Sequence, residues 1–192
     1  MFQDFYPDIW MDSTYEIDFE ALYQKGIRGL IFDIDNTLVE HGAPADQRAI
    51  ALFHRLHEIG FSMMLLSNNK EPRVKMFCDA VEGASYIYKA GKPSKKGYQQ
   101  AMERMHTDAG TTVFIGDQLF TDVWGARRCG IYSILVKPID KKEEIQIVLK
   151  RYLECIILHF YKKKLKKEEI KKEEIKKEEI KKEEIKKEDI NK

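Results

Sequence analysis

A chain of 192 residues, 43% of them apolar, can bury a core of its own, and 33 basic against 32 acidic residues leave no excess positive charge of the kind a nucleic-acid binder carries. That balance is composite: positions 162–192 hold 14 lysines and 10 acids, so the body up to Tyr161 has 19 basic and 22 acidic residues and is slightly acidic. Three scattered cysteines, Cys78, Cys129 and Cys155, lack metal-ligand spacing, the opening Met1-Phe2-Gln3-Asp4 lacks the basic start of a secretory signal, and no apolar run approaches the ~20 residues of a membrane span, so a reduced, cytoplasmic setting is expected.

Short apolar runs alternate with helical patterns along the chain. The run 30–34 reads as a strand, and 44–59 as a helix with Ile50, Phe53, Leu56 and Ile59 at helical spacing and Gly60 as its stop. A strand over 61–66 runs into Ser67-Asn68-Asn69, a helix follows over 72–81, and a short strand over 85–88. Positions 94–105 read as a helix capped by Ser94, and 112–115 as a strand ending at Gly116-Asp117. A helix over 121–129 stops at Gly130, a fifth strand covers 132–136, and a longer helix runs from 140 to about 161. Five strand–helix alternations predict an α/β fold, a parallel sheet flanked by helices, in which ligands bind beyond the carboxyl ends of the strands. The domain is expected over 1–161, followed by a charged tail over 162–192.

The chemistry-bearing residues fall at those strand ends. Asp33 and Asp35 close the first strand, two residues apart and therefore directed to the same side. Two carboxylates that close repel unless a cation binds or one takes a proton, the signature of a metal site or of a nucleophile beside an acid/base. Taken alone, Asp33-Ile34-Asp35-Asn36-Thr37 also fits an ordinary turn, Ser67 a helix cap and Lys92 a surface lysine. A turn, however, needs no particular chemistry at four different strand ends, and Asp33/Asp35, Ser67, Lys92 and Asp117 supply it at four.

These segments resemble the four motifs of the haloacid dehalogenase (HAD) phosphohydrolase superfamily: Asp33-Ile34-Asp35-Asn36-Thr37, Ser67, Gly91-Lys92-Pro93 and Gly116-Asp117 through Asp122. Pro7-Asp8, Gly26-Ile27-Arg28-Gly29, Ser67 to Glu71 and Ile134 to Pro138 resemble the subfamily IIIA, YqeG-like branch, over about Phe5 to Tyr161. The resemblance implies a HAD-like Rossmannoid sheet and a phosphatase working through an aspartyl-phosphate. Asp33 would be the nucleophile and Asp35 the acid/base. Mg²⁺ would be held by the Asp33 and Asp117 side chains and the backbone carbonyl of Asp35. Ser67, Asn68 and Lys92 would bind the phosphoryl oxygens, with Thr37 and Asp122 in support.

Spacing bears on substrate. Only 34 residues separate Asp33 from Ser67 and 25 separate Ser67 from Lys92, too few for a cap domain in either gap. An open site suits a phosphate on something large, and YqeG-like proteins resemble phosphatidylglycerophosphate phosphatases. The terminal helix places Ile145, Leu149, Tyr152, Leu153, Ile156 and Phe160 on one face ahead of Lys162-Lys163-Lys164, which suits either packing on the sheet or an anionic membrane surface at the inner face of the membrane. No nucleic-acid partner is expected. A non-catalytic binding protein on the same fold, or a phosphatase of nucleotides or sugar phosphates, are the alternatives. From Lys166 the pentad Lys-Lys-Glu-Glu-Ile repeats, turning about 140° per step, so its isoleucines spiral and form no stripe; a solvated tail with fluctuating helix is expected.

Overall fold

The computed structural model describes residues 2–140 and 152–172. Its first unit, ending at Glu154, is built on one parallel sheet of six strands. They are β1 (Ile9–Met11), β2 (Gly29–Phe32), β3 (Ser62–Leu66), β4 (Ala84–Ile87), β5 (Thr112–Gly116) and β6 (Tyr132–Val136), ordered in space β1-β6-β5-β2-β3-β4. The connecting helices are α1 (Phe19–Gln24), α2 (Gln47–Ile59), α3 (Glu71–Cys78), α4 (Lys95–Met105) and α5 (Trp124–Arg128). From β2 the chain winds outward through β3 to β4, then returns to lay β5 on the other side of β2. That reversal opens a crevice at the carboxyl ends of β2 and β5, the position where ligands bind in open α/β sheets.

The central strands are buried on both faces, hence their unbroken apolar runs. Alternation divides them between two cores. Leu30 and Phe32 pack with Phe19, Phe53 and Phe77 under α1, α2 and α3, whereas Ile31 packs with Met64, Phe114, Tyr98 and Ala126 under α4 and α5. Helix α2 starts at Gln47 rather than at position 44, because the Asp46 side chain accepts from Ala49 N at 2.8 Å and caps it; Gly60, at φ +98°, stops it. Helices α4 and α5 approach so closely that a Cβ at Gly125 would lie 2.2 Å from the Tyr98 hydroxyl, which donates to Thr121 O at 2.5 Å.

Three expectations are corrected. The sheet has a sixth strand, β1, paired with β6 from Ile9↔Ile134 to Met11↔Val136. Three residues give no periodicity to read; the Asp8 carboxylate fixes the strand by accepting from Ser133 N at 2.8 Å and Ser133 Oγ at 2.9 Å, and by pairing with Arg127 at 2.9 Å. The helix expected from position 121 begins earlier, as a π-helical turn over Leu119–Val123 that passes into α5. Ser94 does precede α4, but its hydroxyl makes no cap bond.

The second unit begins at Cys155. Its described residues, 155–172, are helical, with Ile156, Phe160, Leu165 and Ile170 exposed and Lys164 paired with Glu168 at 3.6 Å. The helix thus runs into the pentad repeat. Of the face read from the sequence, Ile145 and Leu149 lie outside the described residues, as does the repeat beyond 172.

Candidate active site

The site is assembled from the loops that leave the carboxyl ends of β2, β3, β4 and β5. Asp33 follows the last residue of β2 and extends its ladder, with N–H donating to Ile115 O at 2.9 Å. Beyond it the chain turns sharply. Asn36 takes the left-handed conformation at φ +62°, Asn36 N donates to Val39 O at 2.7 Å, and Leu38 N donates to Ile34 O at 2.9 Å. The segment after β1 pins this loop from behind: Thr14 Oγ1 donates to Thr37 O at 2.8 Å and Tyr15 OH to Leu38 O at 2.6 Å. Thr37 Oγ1 in turn donates to Asp117 Oδ1 at 3.3 Å, across the crevice.

Asp33 and Asp35 line the same cavity, of about 270 Å³, with Asn36, His41, Ser67, Asn68, Asn69, Lys92, Gln118 and Thr121. Each has its own cation. Lys92 Nζ lies 2.6 Å from Asp33 Oδ1 and 2.7 Å from Asp122 Oδ1, with all three side chains buried. Asp35 is held instead by Arg73 Nη2 at 2.9 Å, Asn69 Nδ2 at 2.7 Å and Gly42 N at 2.7 Å. Lys92 is fixed through its backbone: Lys92 N donates to Asn68 Oδ1 at 2.7 Å and Asn68 Nδ2 donates to Lys92 O at 3.2 Å. The Asn68 amide thus grips the Lys92 backbone through its oxygen and one of its two N–H groups. The Lys92–Pro93 peptide is cis. Ser67 is buried, and its Oγ accepts from Asn69 N at 3.2 Å.

Asp122 is fully buried, and its Oδ2 accepts from Gln118 N at 3.0 Å. It sits over Gly116 so closely that a Cβ there would come within 2.5 Å of Oδ2. Asp33, Asp117 and Asp122 each offer a carboxylate oxygen within 4.8 Å of the others, the grouping among the described residues that could hold a metal ion. The donors are all oxygen and all anionic, which fits a hard divalent cation.

Burial pushes the Asp33 carboxyl up to about 6; Lys92 pulls it down, and the Asp122 and Asp35 charges push it up again. Burial disfavours the Lys92 charge, but Asp122 and Asp33 outweigh it and hold its pKa above the ordinary lysine value. Lys92 therefore remains a cation among carboxylates.

Sequence reading missed four contributors. Asn69 and Arg73 reach Asp35, Tyr98 braces the loop through Thr121 O, and buried Glu154 accepts from Leu119 N at 2.7 Å at the start of the π-helical turn. A larger cleft of about 610 Å³ lies at the amino ends of the strands, beside Asp8, Lys25, Arg127 and Tyr132. Its one acid, Asp8, is committed to Ser133 and Arg127, so the groups suited to chemistry converge on the smaller cavity.

Comparison with known proteins defines the class. Residues 89–145, which include Lys92, Asp117 and Asp122, match the family model described as HAD-hydrolase-like. The probable phosphatase YqeG of Bacillus subtilis is 38% identical over 161 residues, 83% of this chain and 93% of that protein. Phosphatidylglycerophosphate phosphatase 1 of Arabidopsis thaliana is 25% identical over 168 residues, 82% of this chain but 48% of that protein. Among solved structures, a Listeria monocytogenes protein aligns at a TM-score of 0.46 and 16% identity, over 62% of this chain and 86% of that one. The chain belongs to the HAD-like phosphatases, in the branch that contains YqeG.

Proposed function

We propose that this protein is a Mg²⁺-dependent phosphomonoesterase that works through an aspartyl-phosphate on Asp33. The observation that carries the reading is the buried cluster of Asp33, Asp117 and Asp122, with the Lys92 ammonium between Asp33 and Asp122, at the point where the sheet reverses its winding. The Asp33 carboxylate attacks phosphorus, and the bond from phosphorus to the leaving oxygen breaks. Asp35, in its protonated form, gives that proton to the leaving oxygen, and the resulting carboxylate takes one from the water that releases inorganic phosphate and restores Asp33. Lys92 and the Ser67 hydroxyl meet the phosphoryl oxygens, where charge gathers in the transition state. Asp33, Asp117 and the Asp35 carbonyl would hold the cation, and it would screen the like charges of carboxylate and phosphate. Asp122 holds the Lys92 ammonium in place and Asn68 holds its backbone. The domain over 1–161 carries this chemistry, and the tail has no part in it.

In the metal-free protein Asp33 titrates at about 6, against about 3.9 in an unfolded chain. The stability this group contributes is complete below about pH 4 and is lost as pH rises through about 6. A cation that binds the ionised carboxylate reverses that loss. Mg²⁺ is therefore expected to raise the melting temperature more at about pH 8 than at about pH 5, and EDTA to abolish turnover of p-nitrophenyl phosphate until Mg²⁺ is restored. Full turnover in EDTA removes the metal from the reaction.

For substrate we propose a phosphate on a membrane lipid, with phosphatidylglycerophosphate the first choice. The gaps that hold α2 with β3 and α3 with β4 contain no cap, so no domain inserted there stands between the cavity at Asp33 and a headgroup anchored in a bilayer. The named activity of the Arabidopsis relative supports the same reading. No helix among the described residues is long and apolar enough to cross a membrane. Contact would be peripheral, at the inner face: Ile156 and Phe160 are exposed ahead of Lys162, Lys163 and Lys164. Purified protein is expected to release phosphate from phosphatidylglycerophosphate in vesicles, in preference to nucleotides and sugar phosphates. Release from the soluble esters alone would restrict it to small metabolites.

A further inference from the structure

Arg73 has no part in the chemistry so far, yet it reaches into the site. It lies on α3, where sequence shows only a helix-surface arginine followed by Val74 and Phe77 of the core. Its guanidinium directs Nη2 (2.9 Å) and Nε (3.3 Å) at one oxygen of Asp35, Oδ1. Asn69 Nδ2 takes the other oxygen, Oδ2, and Gly42 N is a third donor to Oδ1. The carboxylate therefore accepts from a loop on each side and from a helix, and cannot rotate without breaking a charge-assisted bond. The arrangement carries a penalty: Arg73 Nη1 is buried without an acceptor among the described residues. An unpaired buried N–H group is costly, and a glutamine or lysine at this position would avoid it. The guanidinium, which also lies over the Phe77 ring at 6.0 Å, directs its fork at Asp35.

We infer that Arg73 is a positioning residue for the proton-transfer step, holding Asp35 in line with the leaving oxygen while Asn69 fixes the second carboxylate oxygen. The inference rests on the proposed acid/base role of Asp35. Proton delivery matters most when the leaving group is a poor one. An alkoxide needs the proton as the bond to phosphorus breaks; a nitrophenolate leaves without it. Loosening Asp35 should thus slow departure of an alcohol far more than departure of a nitrophenol, whereas general damage to the site slows both equally.

The test measures leaving-group release in a single turnover with Mg²⁺, from p-nitrophenyl phosphate and from glycerol 3-phosphate, for wild type, Arg73→Gln, Arg73→Lys and Asp35→Asn. A displacement of about 1 Å can cost about 100-fold. Arg73→Gln is expected to lose on the order of 10- to 100-fold on the alkyl ester and less than about threefold on the aryl ester. Arg73→Lys, which keeps the charge but not the fork, should fall between. Melting temperatures identify any variant that fails to fold, and Arg73→Lys then carries the comparison. Equal losses on both esters, or none on the alkyl ester, overturn the inference. Asp35→Asn separates the two readings: if it spares alkyl release, the acid/base assignment itself fails, whereas a defective Asp35→Asn beside a normal Arg73→Gln removes Arg73 alone.

Discussion

Asp33→Asn is expected to reduce phosphate release by on the order of 10³-fold or more while leaving the fold intact. An amide nitrogen or carbonyl oxygen cannot make and later surrender the bond to phosphorus that a carboxylate can. The replacement is isosteric, so the cavity keeps its shape. Lys92 keeps its second partner, because Asp122 lies 2.7 Å from Nζ and is independent of Asp33. The amide also removes a carboxylate that burial disfavours in its charged form. The metal-free variant should accordingly melt no lower than wild type at about pH 8. Measured release of phosphate from p-nitrophenyl phosphate, with circular dichroism to verify the fold, decides the matter. Turnover within tenfold of wild type would show that another group attacks phosphorus.

Lys92→Met should damage both stability and rate. The methionine fills much of the same volume but leaves Asp33, Asp117 and Asp122 crowded and buried without the ammonium that now sits between two of them. Removing one side of a buried ion pair typically costs 3–5 kcal/mol, because the remaining charge has lost its solvent and its partner; a loss of about that size is expected here in EDTA at about pH 8. Mg²⁺ should restore part of it by supplying another positive charge to the cluster. Turnover should not return, since the charge that the proposed mechanism sets against the phosphoryl oxygens is gone, and an electrostatic group of this kind is typically worth about 10²- to 10³-fold. Urea titrations with and without Mg²⁺, beside turnover, measure both effects. A variant as stable as wild type in EDTA would mean that the three carboxylates do not share a charged site.

The parallel sheet and the location of the site could be read from the chain because the central strands are short apolar runs that stop at polar residues. Leu30-Ile31-Phe32 before Asp33, and Phe114-Ile115 before Asp117, announce both the strand and its functional end. The missed features depend on partners remote in sequence. β1 is three residues long and is held through the Asp8 carboxylate just before it, which accepts from Ser133 of β6, 125 residues on. Arg73 and Asp35 are 38 residues apart, and a lone arginine on an amphipathic helix resembles any solvated charge until α3 is laid beside the β2 loop. The same holds for Asn68, whose amide reads as a phosphate donor in sequence but is engaged by the Lys92 backbone, 24 residues on. The resemblance gives Asp122 only a supporting role; its burial over Gly116 follows from the π-helical turn, which helical periodicity cannot reveal.

The three residues of β1 also do a service to solubility. β6 presents Ile134, Leu135 and Val136 to its neighbour, and among the described residues β1 is the strand that pairs with that edge of the sheet. The cover is tied down at Asp8, which sits at the mouth of a cleft opening to solvent. If Asp8 is replaced or the first dozen residues are cut away, the Thr14–Tyr15 segment that pins the site loop loses its anchor, and β6 becomes an apolar edge whose N–H and C=O groups can pair with a strand from another molecule. The weak point of this fold is then self-association along the β6 edge rather than melting of its core.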